Sequence, residues 1–405
     1  MEVLSCGTGG RWLAQAAPAA ARDDNEPRVD PAEQEARRIL SDIFRCNNLV
    51  VLAGLGTSLC VLDPQTRTPL APTMAALWCR VREKHTGDRA ELWEQLLNIV
   101  RQPAGDENLE SLLSRCRVAE QFLTGHELAK VQAFIALAER EIVAAVDFVT
   151  EGHVLTEHGE FLRRAARRSN RKLRTKIFTT NYDRCFEEAA RQGRFVVVDG
   201  FSYTAPPTFD SVYFTYDIVR RDRGSETQDF IPNVFQLFKL HGSIDWERSA
   251  RINEILKVRS PKTPLLIYPR STKYELAFSQ PYLEMMSALQ AALREPNTGL
   301  LVIGFGFNDA HLAEPILSAV RSNLGLKVAI VSPGLAPRQN SEGEIPGEAQ
   351  RNDYLRRIGD LIRAGDARLS LVNATFQEAI PYVPDIASET DLEKHLDRVR
   401  KLERQ

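Results

Sequence analysis

Residues 48–58 read NLVVLAGLGTS, an unbroken aliphatic run that ends in two glycines and two hydroxyl residues. A run with no polar alternation is the pattern of a strand covered on both faces, as in a parallel sheet flanked by helices. Just upstream, Asp30 is placed as an N-cap, Pro31 at the first helical position and Glu33 as the third member of a capping box. Apolar Ile39, Leu40, Ile43 and Phe44 follow at helical spacing. The unit is therefore helix, strand and glycine loop.

Outward from this unit, the stretch from about Thr73 to Lys172 changes to a 3.6-residue period, seen in ELWEQLLNIV and KVQAFIALAEREIVAAVDFV, and predicts a large helical insertion. Strand signals return at 176–180, followed by a helix from Tyr182 to Arg191 that closes at Gly193. Further strands are expected at 195–198, 235–240, 265–268, 300–303, 327–331 and 369–372. Helices at about 282–294, 311–322 and 352–363 separate the later ones. Strands alternating with helices predict an α/β fold with a doubly wound parallel sheet, whose ligands sit at strand carboxyl ends where the strand order switches. The expected division is a flexible arm over 1–30, a nucleotide-binding domain built from 31–72 and 173–335, the insertion over 73–172, and an α/β extension over 336–405.

The 405 residues carry a formal net charge of −2, with 43% hydrophobic and 26% charged residues, which excludes wholesale disorder and a bulk polycation. The longest apolar runs fall well short of the roughly 18–20 residues that cross a bilayer, and the N-terminus lacks the pattern of a secretory signal. Six cysteines, none at CxxC spacing, fit reduced thiols in a cytoplasmic protein. No HExxH or comparable metal spacing occurs, so no metal is expected. Between Arg163 and Lys176 lie eight basic residues; a solvated helix face is the plain reading, and contact with DNA or an acidic partner the sharper one.

Four segments place glycine or polar residues directly after an apolar strand: AGLGTS (53–58), FTTNYD (178–183), KLHGS (239–243) and GFGFND (304–309, preceded by LLVI). In a doubly wound sheet they converge on one edge. Gly54 and Gly56 allow close backbone approach and Thr57 and Ser58 add hydroxyls, the requirements of a pyrophosphate cradle. The dehydrogenase fingerprint is not met, because no glycine follows three residues after Gly56. Each segment also has a plainer reading: Asn181 as a helix cap, Asp183 as a first-turn acid, His241 as a core histidine, and Gly304, Gly306 and Asp309 as an ordinary turn. Their joint occurrence favours a site.

At these residues the sequence resembles the sirtuin-like NAD-processing family. The pieces IFTTNYD, DGFS, LFKLHGSIDW, LIYP and GFGFND are most similar to the sirtuin-like NAD hydrolase subunit of bacterial antiphage systems that assembles with a HerA-type ATPase. The resemblance implies a Rossmann-like site for NAD as substrate, with Asn181 and His241 as the catalytic pair. It further implies Asp183 near the nicotinamide amide, Ala53, Gly54, Gly56, Thr57 and Ser58 at phosphate and ribose, and Gly304 and Gly306 on the adenosine side. A large homo-oligomer and a hexameric HerA-type ATPase partner are implied in the same way. The sequence departs from the deacetylating sirtuins, which carry CxxC pairs of a zinc module and a Pro-Asp-Phe-Arg segment where this chain has DPQTRTPLAP. Deacylation, a silent NAD- or ADP-ribose-sensing scaffold and a nuclease role are the competing readings.

The chemistry suits these residues independently. The nicotinamide of NAD is already cationic and leaves neutral, so breaking its glycosidic bond needs no acid to protonate a leaving group, in contrast to sugar hydrolysis. An amide such as Asn181 can orient water, and a histidine can take its proton or that of a ribose hydroxyl.

Overall fold

The computed structural model describes residues 1–16, 30–85, 90–150, 152–167, 172–221, 228–249, 254–266, 280–341 and 343–385. The chain begins with β1 (Glu2–Ser5), β2 (Leu13–Ala14), α1 (Pro31–Phe44) and β3 (Asn48–Ala53). Helices α2 (Met74–Glu83), α3 (Ala90–Ile99), α4 (Leu109–Ala119), α5 (Gly125–Val146) and α6 (Thr156–Ala165) follow. Next come β4 (Lys176–Thr179), α7 (Cys185–Gly193), β5 (Val196–Val198), β6 (Val219–Arg221), β7 (Gln228–Phe230), β8 (Val234–Lys239), β9 (Gly242–Arg248), β10 (Ile255–Lys257) and β11 (Pro264–Leu266). The chain continues through α8 (Tyr282–Arg294), β12 (Thr298–Ile303), α9 (Ala310–Ser322), β13 (Leu326–Val331), β14 (Arg338–Asn340) and β15 (Gly343–Ile345). Last are α10 (Glu348–Arg351), α11 (Asp353–Arg363), β16 (Leu369–Asn373) and α12 (Phe376–Ala379).

One sheet organises the molecule, in the order β2-β1-β16-β13-β12-β3-β4-β8-β5. Every pairing from β16 to β5 is parallel, and only β1 and β2 run antiparallel. The α/β expectation holds, with an antiparallel edge added. Alternate residues of β3 feed two cores. Val50 and Leu52 face α8, α9 and α11, whereas Leu49 and Val51 face α1, α6 and α7. That two-sided burial is why residues 48–53 carry no polar alternation.

Three expectations are corrected. Residues 2–14 are not a flexible arm: Val3 and Leu4 are fully buried, and β1 pairs with β16 in the register Val3↔Val372 and Leu4↔Leu371, because an apolar edge is stabilised by covering it. Residues 17–29 lie outside the described residues. The helix expected from Tyr182 starts at Cys185, since Asp183 Oδ1 accepts the Cys185 amide and leaves 180–184 as a loop. Asp30 does cap α1 by accepting from the amides of Ala32 and Glu33, but Glu33 accepts from Gln15 Nε2, so no capping box closes.

Helices α2 to α5 build a third core from Trp78, Trp93, Leu112 and Phe134 among others, which also takes in Ile244 from β9 and Leu266 from β11. This cluster therefore packs directly onto the strand that follows His241. The expected strand at 265–268 is described only to Leu266, and the C-terminal stretch only to Asp385.

Candidate functional site

Register brings the four segments together. Ile303 pairs with Ala53, Ala53 with Thr179, and Thr179 with Lys239, so β12, β3, β4 and β8 end in one row. The strand order reverses at β3, whose chain continues toward β4 on one side while β12 lies on the other. Here a cavity of about 250 Å³ opens, lined on the sheet side by Asn181, Asp183, His241, Gly304, Gly306 and Asp309.

Asn181 is not a helix cap. Its Nδ2 donates to Ser58 Oγ at 2.8 Å and reaches Gly54 O at 3.1 Å and Thr57 Oγ1 at 3.3 Å. Ser58 in turn donates to Asp183 Oδ2 at 2.7 Å. With Oδ1 taking the Cys185 amide, both Asp183 oxygens are engaged, and this acid anchors the loop instead of standing as a free base. Below it, the ammonium of Lys239, 2% exposed, pairs with Glu187 at 3.0 Å and donates to the backbone carbonyls of Tyr182 and Asp183. A buried charge is tolerated only when paired and hydrogen-bonded in this way. The loop bearing Asn181 is thus held from both ends.

The glycine loop departs from the expected cradle. The amide of Gly54 donates to Ile303 O, that of Gly56 to Gly304 O, Thr57 to Gly54 O and Ser58 to Leu55 O. Ala53, Gly54, Gly56, Thr57 and Ser58 lie beneath the cavity, not in its wall. The glycines serve a different close approach. A Cβ on Gly54 would sit 2.6 Å from Gly304 O, and one on Gly304, whose φ is +65°, would sit 2.6 Å from the Thr57 nitrogen. Only bare backbone lets the two loops meet.

His241 is 3% exposed, and burial pushes its pKa down to about 3, so the ring is neutral. Its Nε2 lies 3.3 Å from Nε2 of His311 at the start of α9. Gly242 follows with φ +84°, and a Cβ there would lie 2.1 Å from Leu265 O, so glycine lets β11 close against the site. Asp309 lines the cavity and makes no side-chain cap on α9. The nearby thiols are poor nucleophiles, because burial raises Cys60 to about 12 and Cys185 well above its ordinary value.

The opposite wall comes from the helical insertion and its flanks: Met74 and Leu77 of α2, Asn108 and Glu110 at the start of α4, Val146 at the end of α5 and Phe148 just after it. Neither these residues nor His311 and Lys239 were singled out by the sequence. A histidine one residue into a helix and a lysine inside a strand carry no local signal. Among the described residues, no group of three or more His, Cys, Asp or Glu is arranged to hold a metal ion, and no helix is long and apolar enough to cross a membrane. The basic run is largely answered from within the chain. Arg163 and Arg164 pair with Glu160, Arg174 with Asp217, and Lys172 donates to Arg45 O; Arg168 and Arg171 lie outside the described residues.

Residues 175–354 match the SIR2-like domain family. That span carries Asn181, Asp183, His241, Gly304 and Gly306 but not the glycine loop, and it is less than half of the chain. No curated protein matches the chain significantly. Among solved structures, a Sir2 homologue bearing a serine-to-alanine substitution and bound to ADP-ribose aligns at 12% identity over 85% of this chain and 95% of its own, with a TM-score of 0.37. A Sir2 with a histidine-to-alanine substitution, bound to a deacetylated p53 peptide and 3′-O-acetyl ADP-ribose, aligns at 11% identity over 86% and 96%, with a TM-score of 0.30. Cytosolic 5′-nucleotidase IIIB bound to cytidine aligns at 12% identity over 87% and 91%, with a TM-score of 0.29.

Proposed function

We propose that this chain is an NAD glycohydrolase that converts NAD and water to ADP-ribose, nicotinamide and a proton. The observation that carries the reading is the convergence of Asn181 and His241 on one cavity at the switch point of the sheet. The SIR2-like match over 175–354 supports the choice of NAD as substrate. Because Asn181 Nδ2 is spent on the loop beneath, Oδ1 is the atom its amide presents to a water. A neutral His241 has a lone pair with which to take that water's proton or one from a ribose hydroxyl. Burial of Asn181 and His241 away from bulk water strengthens these few contacts.

The phosphates must be met by groups other than the four engaged amides. The amino end of α9, reached through the Gly304–Asp309 turn, supplies a helix terminus suited to anions. At about 250 Å³ the cavity is smaller than the roughly 300–1,000 Å³ typical of small-molecule sites, so a whole dinucleotide requires the insertion wall to draw back. Through its sequence resemblance, the reading extends to NAD depletion in bacterial antiphage defence, in a homo-oligomer with a HerA-type ATPase.

The test is NAD consumption by the chain alone and with a co-encoded ATPase. Nicotinamide should form, and Asn181→Ala and His241→Ala should each lower turnover by at least about 100-fold without loss of fold. NAD left intact by the full complex defeats the reading. Phage protection that survives both substitutions would point to a scaffold, and turnover of an acyl-lysine peptide to deacylation.

A further inference from the structure

We infer that His311 is a positioning residue for His241: its Nε2 accepts the Nε2 hydrogen of His241, which fixes the tautomer whose Nδ1 lone pair serves the cavity. The inference deepens the hydrolase reading and rests on it for the role of His241 as a base.

Two ring nitrogens 3.3 Å apart form a hydrogen bond only if one carries a hydrogen and the other a lone pair. The rings are 5.4 Å apart between centroids and inclined by 36°, so both stay within reach without sharing a stack. Of the two arrangements, donation from His311 would put the remaining hydrogen of neutral His241 on Nδ1 and leave it no lone pair for a water. Donation from His241 leaves Nδ1 bare. The placement of His311 supports the accepting role. It is the second residue of α9, where the positive end of the helix dipole disfavours a second ring hydrogen.

The pair also offsets the cost of the reaction step. When Nδ1 of His241 takes the proton of the attacking water, an O–H bond breaks and an N–H bond forms, and no other bond to the ring changes. The Nε2–H to His311 contact then becomes a charge-assisted hydrogen bond, which stabilises the buried imidazolium. Burial alone disfavours that cation, as the lowered pKa of His241 records. Among the described residues, titratable groups beside the pair include Tyr182, 6.4 Å from His241 between ring centroids, Tyr282, 6.2 Å from His311, and Asp309 at the start of α9. Burial, aided by Asp309, raises the Tyr282 hydroxyl to about 12, so it stays protonated.

The direct test is ¹⁵N NMR of the imidazoles in the full-length protein near neutral pH, assigned with His241→Gln and His311→Gln. His241 should carry its hydrogen on Nε2 and His311 should have a bare Nε2; a hydrogen on Nδ1 of His241 overturns the inference. This readout needs no turnover. The kinetic test compares two replacements, one able to accept a hydrogen bond and one not. His311→Leu should lower kcat roughly 100-fold with KM little changed, whereas the amide oxygen of His311→Gln should restore activity to within about 10-fold of wild type. Equal kcat in wild type, His311→Leu and His311→Gln overturns the inference while leaving the hydrolase reading intact. Absence of NAD turnover in the wild-type complex overturns the hydrolase reading, and the NMR result still decides the hydrogen-bond direction.

Discussion

Single residues at this site act more by what they lack than by what they carry. Gly304 combines φ +65° with a Cβ direction that runs into the Thr57 nitrogen at 2.6 Å and Gly56 Cα at 2.7 Å, whereas Gly334, at φ +80°, faces open space. Gly334→Ala should therefore cost roughly 1–2 kcal/mol for the left-handed backbone alone, and Gly304→Ala roughly 2–5 kcal/mol because overpacking is added. Urea denaturation of both variants checks this, and equal costs would refute the loop-to-loop packing. His158 makes the converse point. Fully buried between the rings of Phe186 and Phe376, each 5.2 Å away, it has no hydrogen-bond partner on either nitrogen among the described residues, and burial lowers its pKa to about 4. Above pH 6.5 the ring is neutral folded or unfolded. As pH falls from 6.5 to 4 the unfolded chain gains a proton that the folded chain refuses, so about 3 kcal/mol of stability is lost across that window. His158→Leu should flatten this part of the stability profile, and an unchanged slope would remove His158 as its cause.

At the scale of elements, what could be read from sequence was what local chemistry dictates. The N-cap of α1 follows from Asp30 and Pro31, the strand β3 from an aliphatic run, and the start of α8 at Tyr282 from its apolar spacing. Residues 182–184 read as helix because Tyr182 to Arg191 has helical spacing, and only the distant Ser58 and Lys239 explain why Asp183 holds them as a loop. His311 and Lys239 were illegible for the same reason, since their roles exist only between elements distant in sequence. The N-terminal strand was missed because EVLS is too short to show a period, yet its partner β16 lies 365 or more residues away and fixes its register. Leu4→Ala distinguishes the two views of this segment. A strand buried between β2 and β16 predicts a loss of about 2–5 kcal/mol, and a flexible arm predicts none, with thermal unfolding as the measurement.

At the scale of the whole molecule, the helical insertion is not an appendage to the sheet. Its core includes Ile244, three residues after His241, and takes Tyr182, the neighbour of Asn181, against its edge. The Ile244 amide also donates to Tyr182 O at 3.4 Å, so one strand joins the insertion core, the histidine and the asparagine loop. A cavity closed by α2 and α4 on one side and by these loops on the other should change its grip when that joint loosens. Ile244→Ala and Leu355→Ala remove similar apolar volume from fully packed cores, the second on the face of the sheet that α11 covers, and each should cost about 2–5 kcal/mol. Only Ile244→Ala should alter the affinity for ADP-ribose measured by calorimetry and raise amide exchange in α2 and α4. If both variants bind ADP-ribose as the wild type does, the insertion is mechanically separate from the site, and the opening that a dinucleotide requires must come from elsewhere in the fold.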